Sequence, residues 1–123
     1  MAGVLHRDVK PGNMLIINQD LFLNDFDVSC LANSSDATLQ SRVGTEDFRS
    51  PLWQEGQQYK AVDDLASLVL SFAWLLNMRT ESAIERIRWV AMAKLPNAPE
   101  SMVKTAADIL RLFQEESGRA MLA

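Results

Sequence analysis

The stretch His6-Arg7-Asp8-Val9-Lys10-Pro11-Gly12-Asn13 constrains this chain more than any other. Pro11 fixes its own backbone and disfavours helix in the residue before it, so the stretch reads as a loop. The loop gathers a particular chemistry. Phosphoryl transfer to a hydroxyl needs a carboxylate to accept the hydroxyl proton and oxygen ligands for the magnesium ions that neutralise phosphate charge. Asp8 is suited to the first task. Asn13 offers a neutral carbonyl oxygen to a hard cation, and Asp25, in the Asn24-Asp25-Phe26-Asp27 stretch that follows, offers a carboxylate to the same metals. Lys10, a compact point charge two residues beyond Asp8, is placed to reach a transferring phosphate. Any one of these residues alone in a loop is more often a turn or capping residue. Their combination in one short window carries the reading.

Along the chain, Ala2 to Leu5 reads as a short extended lead into this loop. Met14-Leu15-Ile16-Ile17 and Leu21-Phe22-Leu23 flank the turn-forming Asn18-Gln19-Asp20 and predict a β-hairpin, a stiff link that holds Asn13 and Asp25 at a fixed separation. From Ser29 to Tyr59 the periodicity disappears, and a loop that long in a compact domain is usually functional. Val62 to Leu76 predicts a helix apolar on nearly every face, hence buried, with Asp63 and Asp64 at its positive end. Ser82 and Glu85 form a capping-box pattern ahead of a helix with Ile84, Ile87, Ala91 and Leu95 along one face. Pro96-Asn97-Ala98-Pro99 breaks the chain. A last helix turns Met102, Val103, Ala106, Ile109, Leu110 and Phe113 inward, with Gly118 as its expected end. Trp74 and Trp89 read as core. The expected fold is mainly α, with one hairpin beside the loop, one long segment and about three helices.

The loop and the Asp25-Phe26 pair resemble the catalytic loop and metal-binding motif of the protein kinases, with Lys10 favouring the serine/threonine type. Val43-Gly44-Thr45 and Phe48-Arg49-Ser50-Pro51 match that family's activation segment. Asp63-Asp64-Leu65-Ala66-Ser67-Leu68 is similar to the central helix of the large lobe, particularly in casein-kinase-like and fungal-type kinases. The resemblance implies that residues 1–123 are a partial kinase domain, the carboxy-terminal lobe from catalytic loop to final helices. It implies ATP and Mg2+ as cofactors and a protein as substrate. Asp8, Lys10 and Thr45 would be catalytic, and Asn13 and Asp25 would hold metal. His6, Arg7, Phe26, Gly44 and Asp64 would be structural or activating, with Asp64 reaching back to the backbone of His6 and Arg7. Control by phosphorylation is also implied, with an arginine receiving the phosphate and Ser34, Ser35, Thr38 and Ser41 as candidates.

Three departures from the family follow. Nothing resembles the small lobe: Gly3, Gly12, Gly44, Gly56 and Gly118 include no G-x-G pair, and Val90-Ala91-Met92-Ala93-Lys94, faintly like the small-lobe lysine motif, falls on a helix after the catalytic loop. Asp27 stands where the family has glycine. Ser50-Pro51-Leu52 stands for Ala-Pro-Glu, with Glu55 three residues too late, so the segment loses an anchor and is expected to be more mobile. The chain alone is expected to be inactive, with its small lobe encoded upstream, carried by a partner chain, or lost. Two other readings use the same residues. Aminoglycoside and choline kinases share the H-x-D…P-G-N loop, matched by His6, Asp8, Pro11, Gly12, Asn13, Asp25 and Asp27. A pseudokinase-type binding module would hold a partner without turnover.

Composition bounds the setting. At 123 residues and 48% hydrophobic, the chain can bury a core. A net charge of -4 argues against nucleic acid or an anionic membrane as partner. The lone Cys30, the absence of a signal-like start and an apolar Leu65–Met78 stretch too short for a bilayer lead to the expectation of an intracellular, cytoplasmic protein.

Overall fold

Apolar residues three and four apart build the helical layer. In the computed structural model, which describes residues 3–26, 28–31, 44–54, 57–92 and 98–122 except the side chains of 117–122, helix α1 runs Ala61–Leu75, α2 Ala83–Ala91 and α3 Glu100–Leu122. Ala66, Val69, Leu70 and Ala73 of α1 meet Ile87 and Val90 of α2 and Ala106 and Ile109 of α3 in one core, to which Phe48 and Leu52 add from the preceding segment. Trp74 and Trp89 pack on that core, as expected.

Helix α1 is less enclosed than its composition suggests: Leu65 and Leu75 are exposed. Burial depends on which face meets α2 and α3, and a helix apolar all round still has only one such face. Helix α3 continues through Gly118 to Leu122. A single interior glycine costs about 1 kcal/mol, which good helix formers on either side can offset. On α2, Ser82 Oγ accepts from Glu85 N at 3.3 Å as the capping pattern predicts, but the Glu85 carboxylate pairs with Arg88. Its buried face carries Arg86 and Val90 with Ile87, and Leu95 lies outside the described residues.

The strands are short. β1 (Val4–Leu5) pairs antiparallel with β4 (Cys30–Leu31), a pairing the sequence did not suggest. β2 (Met14–Ile17) and β3 (Asp20–Leu23) form the expected hairpin, with Met14 opposite Leu23 and Ile17 opposite Asp20. Asn18 and Gln19 both take positive φ, 51° and 71°, as a two-residue hairpin turn of the right twist requires. Leu15, Ile16, Ile17, Leu21, Phe22 and Leu23 are all exposed, from 41% at Leu23 to 77% at Ile16. Among the described residues, no helix is long and apolar enough to cross a membrane.

At the start of α1, Asp63 Oδ2 accepts from Lys60 N at 2.8 Å while Oδ1 is buried without a partner among the described residues. Burial raises the Asp63 pKa above 3.8, against the opposing effect of the nearby Ser50 hydroxyl and of Lys60. The folded state therefore binds this proton more tightly than the unfolded one, so the group stabilises the fold as pH falls into the window above 3.8 and costs stability above it. Asp63→Asn keeps the cap and removes the charge. We expect it to raise stability at neutral pH and flatten the rise on acidification in urea melts run as a pH series; equal curves for both proteins would refute this.

Candidate active site

Helix α1 holds the 6–13 loop by one carboxylate. Asp64 Oδ2 accepts from His6 N at 2.7 Å, and Oδ1 accepts from Arg7 N at 3.0 Å and Tyr59 OH at 2.8 Å. Three donors converge on this residue, so the backbone at 6–7 is fixed to the helix layer. Arg7 takes φ 70°, a left-handed conformation that such over-determination sustains. Its Nε donates to Val28 O, which ties the loop to the residues after the hairpin. His6 bridges in the same direction. Its Nε2 lies 2.8 Å from Asn24 O, which can only accept, and its Nδ1 accepts from Asp8 N at 3.1 Å. The two contacts assign a neutral ring with the proton on Nε2.

Asp8 is reached from three sides. Thr45 Oγ1 donates to Asp8 Oδ1 at 3.0 Å and accepts from Lys10 Nζ at 2.9 Å. Asn13 Nδ2 donates to Asp8 O at 2.9 Å and Asp8 Oδ2 at 3.3 Å, and Lys10 Nζ stands 4.0 Å from Oδ2. Thr45, separated from Asp8 by the hairpin and about half of the irregular segment, is thus brought against both Asp8 and Lys10. Gly44 makes the approach possible: it sits at φ 81°, and a Cβ there would lie 2.7 Å from Arg7 O. The side chain of Asp8 remains 20% exposed, so a solvent-borne group can reach it.

The hairpin closes on the loop where expected. Asn24 N donates to Asn13 O at 2.8 Å, continuing the β2–β3 pairing by one rung and setting Asp25 next to that junction. Asp25 takes φ 59°, which aspartate tolerates better than most residues. Phe26 is half exposed and meets the His6 ring edge to face, with centroids 4.7 Å apart. Among the described residues, no three His, Cys, Asp or Glu side chains cluster to hold a metal. Magnesium seldom needs such a cage, since it keeps waters and phosphate oxygens and takes one or two protein groups. Asn13, whose amide nitrogen is spent on Asp8, keeps its amide oxygen, and that oxygen and the Asp25 carboxylate are donors of the type the ion takes.

Tyr59 and Ser67 were not legible as site residues. Tyr59 is buried at the end of the irregular segment, and burial beside Asp64 and Asp63 raises its pKa far above the ordinary tyrosine value, so it stays a hydrogen-bond donor. Ser67 Oγ donates to Phe48 O at 2.6 Å, three residues past Thr45. The one signal in the sequence is spacing: Ser67 lies three residues after Asp64, on the same helix face. Asp27, Val43, Glu55 and the serines and threonine at Ser34, Ser35, Thr38 and Ser41 lie outside the described residues.

A carboxylate, a lysine and an amide on one loop, linked by a threonine from a distant segment, is an arrangement suited to phosphoryl transfer. The chain belongs to the protein kinase family: the protein kinase domain matches it over residues 1–112. It is 36% identical over 103 residues to a serine/threonine-protein kinase, drp72, of Corynebacterium efficiens, covering 81% of this chain and 20% of that protein. It is 30% identical over 131 residues to the eukaryotic translation initiation factor 2-alpha kinase 1 of Mus musculus, covering 95% of this chain and 21% of that protein. Similarity to the serine/threonine-protein kinase PknA of Corynebacterium glutamicum is 32% over 102 residues, 80% of this chain and 22% of that protein. The chain thus spans about a fifth of the length of these relatives.

Proposed function

We propose that residues 1–123 are the large-lobe part of a serine/threonine protein kinase domain, from catalytic loop to final helices, and that the domain phosphorylates hydroxyls of a protein substrate. The observation that supports this best is the Thr45 hydroxyl, which donates to Asp8 and accepts from Lys10 at 3.0 and 2.9 Å. In this reading Asp8 takes the proton of the substrate hydroxyl as its oxygen forms the new bond to phosphorus; the bond to the leaving diphosphate breaks and its electron pair departs with ADP. Lys10 balances charge on the moving group, and Thr45 keeps Lys10 and Asp8 in register. Asn13 and Asp25 are the residues that would hold magnesium. Bound ATP and Mg2+ supply the phosphoryl group and neutralise its charge. Arg7, the residue before Asp8, is the proposed receiver of a phosphate placed at Ser34, Ser35, Thr38 or Ser41.

The isolated chain is inactive in this reading. It has no glycine-rich phosphate loop. Each missing electrostatic group removes about 2.7–4 kcal/mol of transition-state stabilisation. Val4, Ile16, Phe22, Phe26 and Leu31 leave apolar surface exposed around the strands and the loop, and the small lobe, on another stretch of polypeptide or a partner chain, would cover part of it.

A thermal melt with Mg2+ and ATP tests the reading. Saturation 100-fold above Kd stabilises by about 2.7 kcal/mol, a shift of several degrees for a chain of this size. We expect the shift in the native chain, its loss in Asp25→Ala, and no phosphate transferred to a protein substrate by the chain alone. Cooperative melting with no shift in either protein would instead make the chain a binding module without nucleotide chemistry.

A further inference from the structure

The three-residue 3-10 turn Glu46–Phe48 begins at Thr45, and side chains from the helical layer occupy its last two carbonyls. Ser67 on α1 takes Phe48 O. Arg86 on α2 takes Asp47 O, with Nη2 donating at 2.7 Å across 39 residues of chain. The guanidinium is itself steadied by Nε donating to Glu81 O at 3.2 Å. Leu52 ties the segment to the core through its apolar side chain, and its N–H bonds only locally, to Ser50 Oγ at 3.1 Å.

Arg86 is an unusual residue for its place. It is 4% exposed on a helix whose other arginine, Arg88, stays at the surface with Glu85, and its Nη1 has no acceptor among the described residues. An unmet buried donor is destabilising, and burial also pulls the guanidinium pKa down against the Asp47 and Glu81 carboxylates. An apolar residue there would avoid both costs. What it could not do is hold a carbonyl of the turn that carries Thr45.

We infer that Arg86 is a positioning residue for the phosphoryl-transfer network: by fixing the Asp47 carbonyl it sets the turn that presents the Thr45 hydroxyl to Asp8 and Lys10. The path is short and continuous. Phe48 N donates to Thr45 O at 3.0 Å and Arg49 N to Glu46 O at 3.2 Å, so the carbonyl held by Arg86 lies inside the hydrogen-bonded turn whose first residue is Thr45. Its catalytic meaning rests on the proposed kinase reading. The geometry can be measured without nucleotide.

The test is amide exchange in the full chain, comparing the native protein with Arg86→Gln and with Arg88→Gln as a surface control. We expect Arg86→Gln to speed exchange at Phe48 and Arg49 by about tenfold while Val69 and Leu70 in α1 change by less than about twofold, with Arg88→Gln silent at both places. In Arg86→Ala, dilute guanidinium should restore the protection at Phe48. Unchanged exchange at Phe48 and Arg49, or a rise shared equally with α1, would overturn the inference, because Arg86 would then hold nothing there or would merely hold the helices together. Should Arg86→Gln not fold, Arg86→Lys, which keeps the charge and can reach only one carbonyl, is judged by the same two regions. If ATP produces no thermal shift and the exchange result is as expected, the kinase reading fails while the positioning geometry stands.

Discussion

Asp64→Ala is expected to loosen the 6–8 loop from the helical layer and to cost about 3 kcal/mol or more, because it removes the shared acceptor of His6 N, Arg7 N and Tyr59 OH. Each orphaned donor costs about 1–3 kcal/mol where water cannot replace the carboxylate, and His6, Arg7 and Tyr59 are all buried. Against a total stability of about 5–15 kcal/mol this is a large loss, visible as a fall in Tm of about 10 °C or more. The loss is also localised. With Arg7 no longer held at φ 70°, Asp8 loses its bearing on Thr45, so amide protection at His6 and Arg7 should collapse first. Asp108→Ala is the control. It breaks two exposed pairs, with Lys104 and Arg111, and should change stability by less than about 1 kcal/mol. Equal effects from the two variants would show that Asp64 is only another surface carboxylate.

Gly44→Ala is expected to separate Thr45 from Asp8. The new Cβ would stand 2.7 Å from the Arg7 carbonyl oxygen, a backbone atom that cannot turn aside, and the φ of 81° is itself unfavourable for a side chain. The backbone conformation alone costs about 1–2 kcal/mol, and relieving the clash moves either the 6–8 loop or the turn at Thr45. We expect a total of about 2–4 kcal/mol in chemical denaturation, with faster exchange of the turn amides. Gly12→Ala separates this from a general intolerance of alanine in the loop. Its Cβ would meet only Lys10 Cε, at an ordinary 3.8 Å, and the change should be nearly neutral. If Gly44→Ala matches Gly12→Ala, the close approach of the two segments does not exist in solution.

Local signals accounted for much of the fold. Two short apolar runs on either side of Asn18-Gln19-Asp20 named the hairpin, Ser82 and Glu85 named the start of α2, and helical spacing named most of the inner face of α3 but on α2 only part of it, since Arg86 and Val90 are buried there as well. Gly118 misled because a glycine ends a helix only when the backbone beyond it has a better place to go. The β1–β4 pairing was invisible, since two residues on each side carry no pattern, and their union depends on the chain returning to Leu5 from 25 residues away. The inward place of Arg86 left no mark in the sequence for a similar reason. A helical repeat assigns charged residues to the solvent face, and only the arrival of the Asp47 carbonyl made an inward arginine sustainable.

The sequence by itself determined the chemistry available to this protein: a carboxylate, a lysine and an amide within one proline-stiffened loop, a second carboxylate one hairpin later, and an acidic start to the central helix. Those are properties of residue type and short spacing, and short spacing survives folding almost unchanged. Tertiary structure decided which groups touch. Asp64 reaches back 57 residues to Arg7, Thr45 reaches across 37 to Asp8, and Arg86 crosses 39 to Asp47. Such contacts form only when packing of the three helices has met the entropy of closing those loops, so no local pattern could announce them.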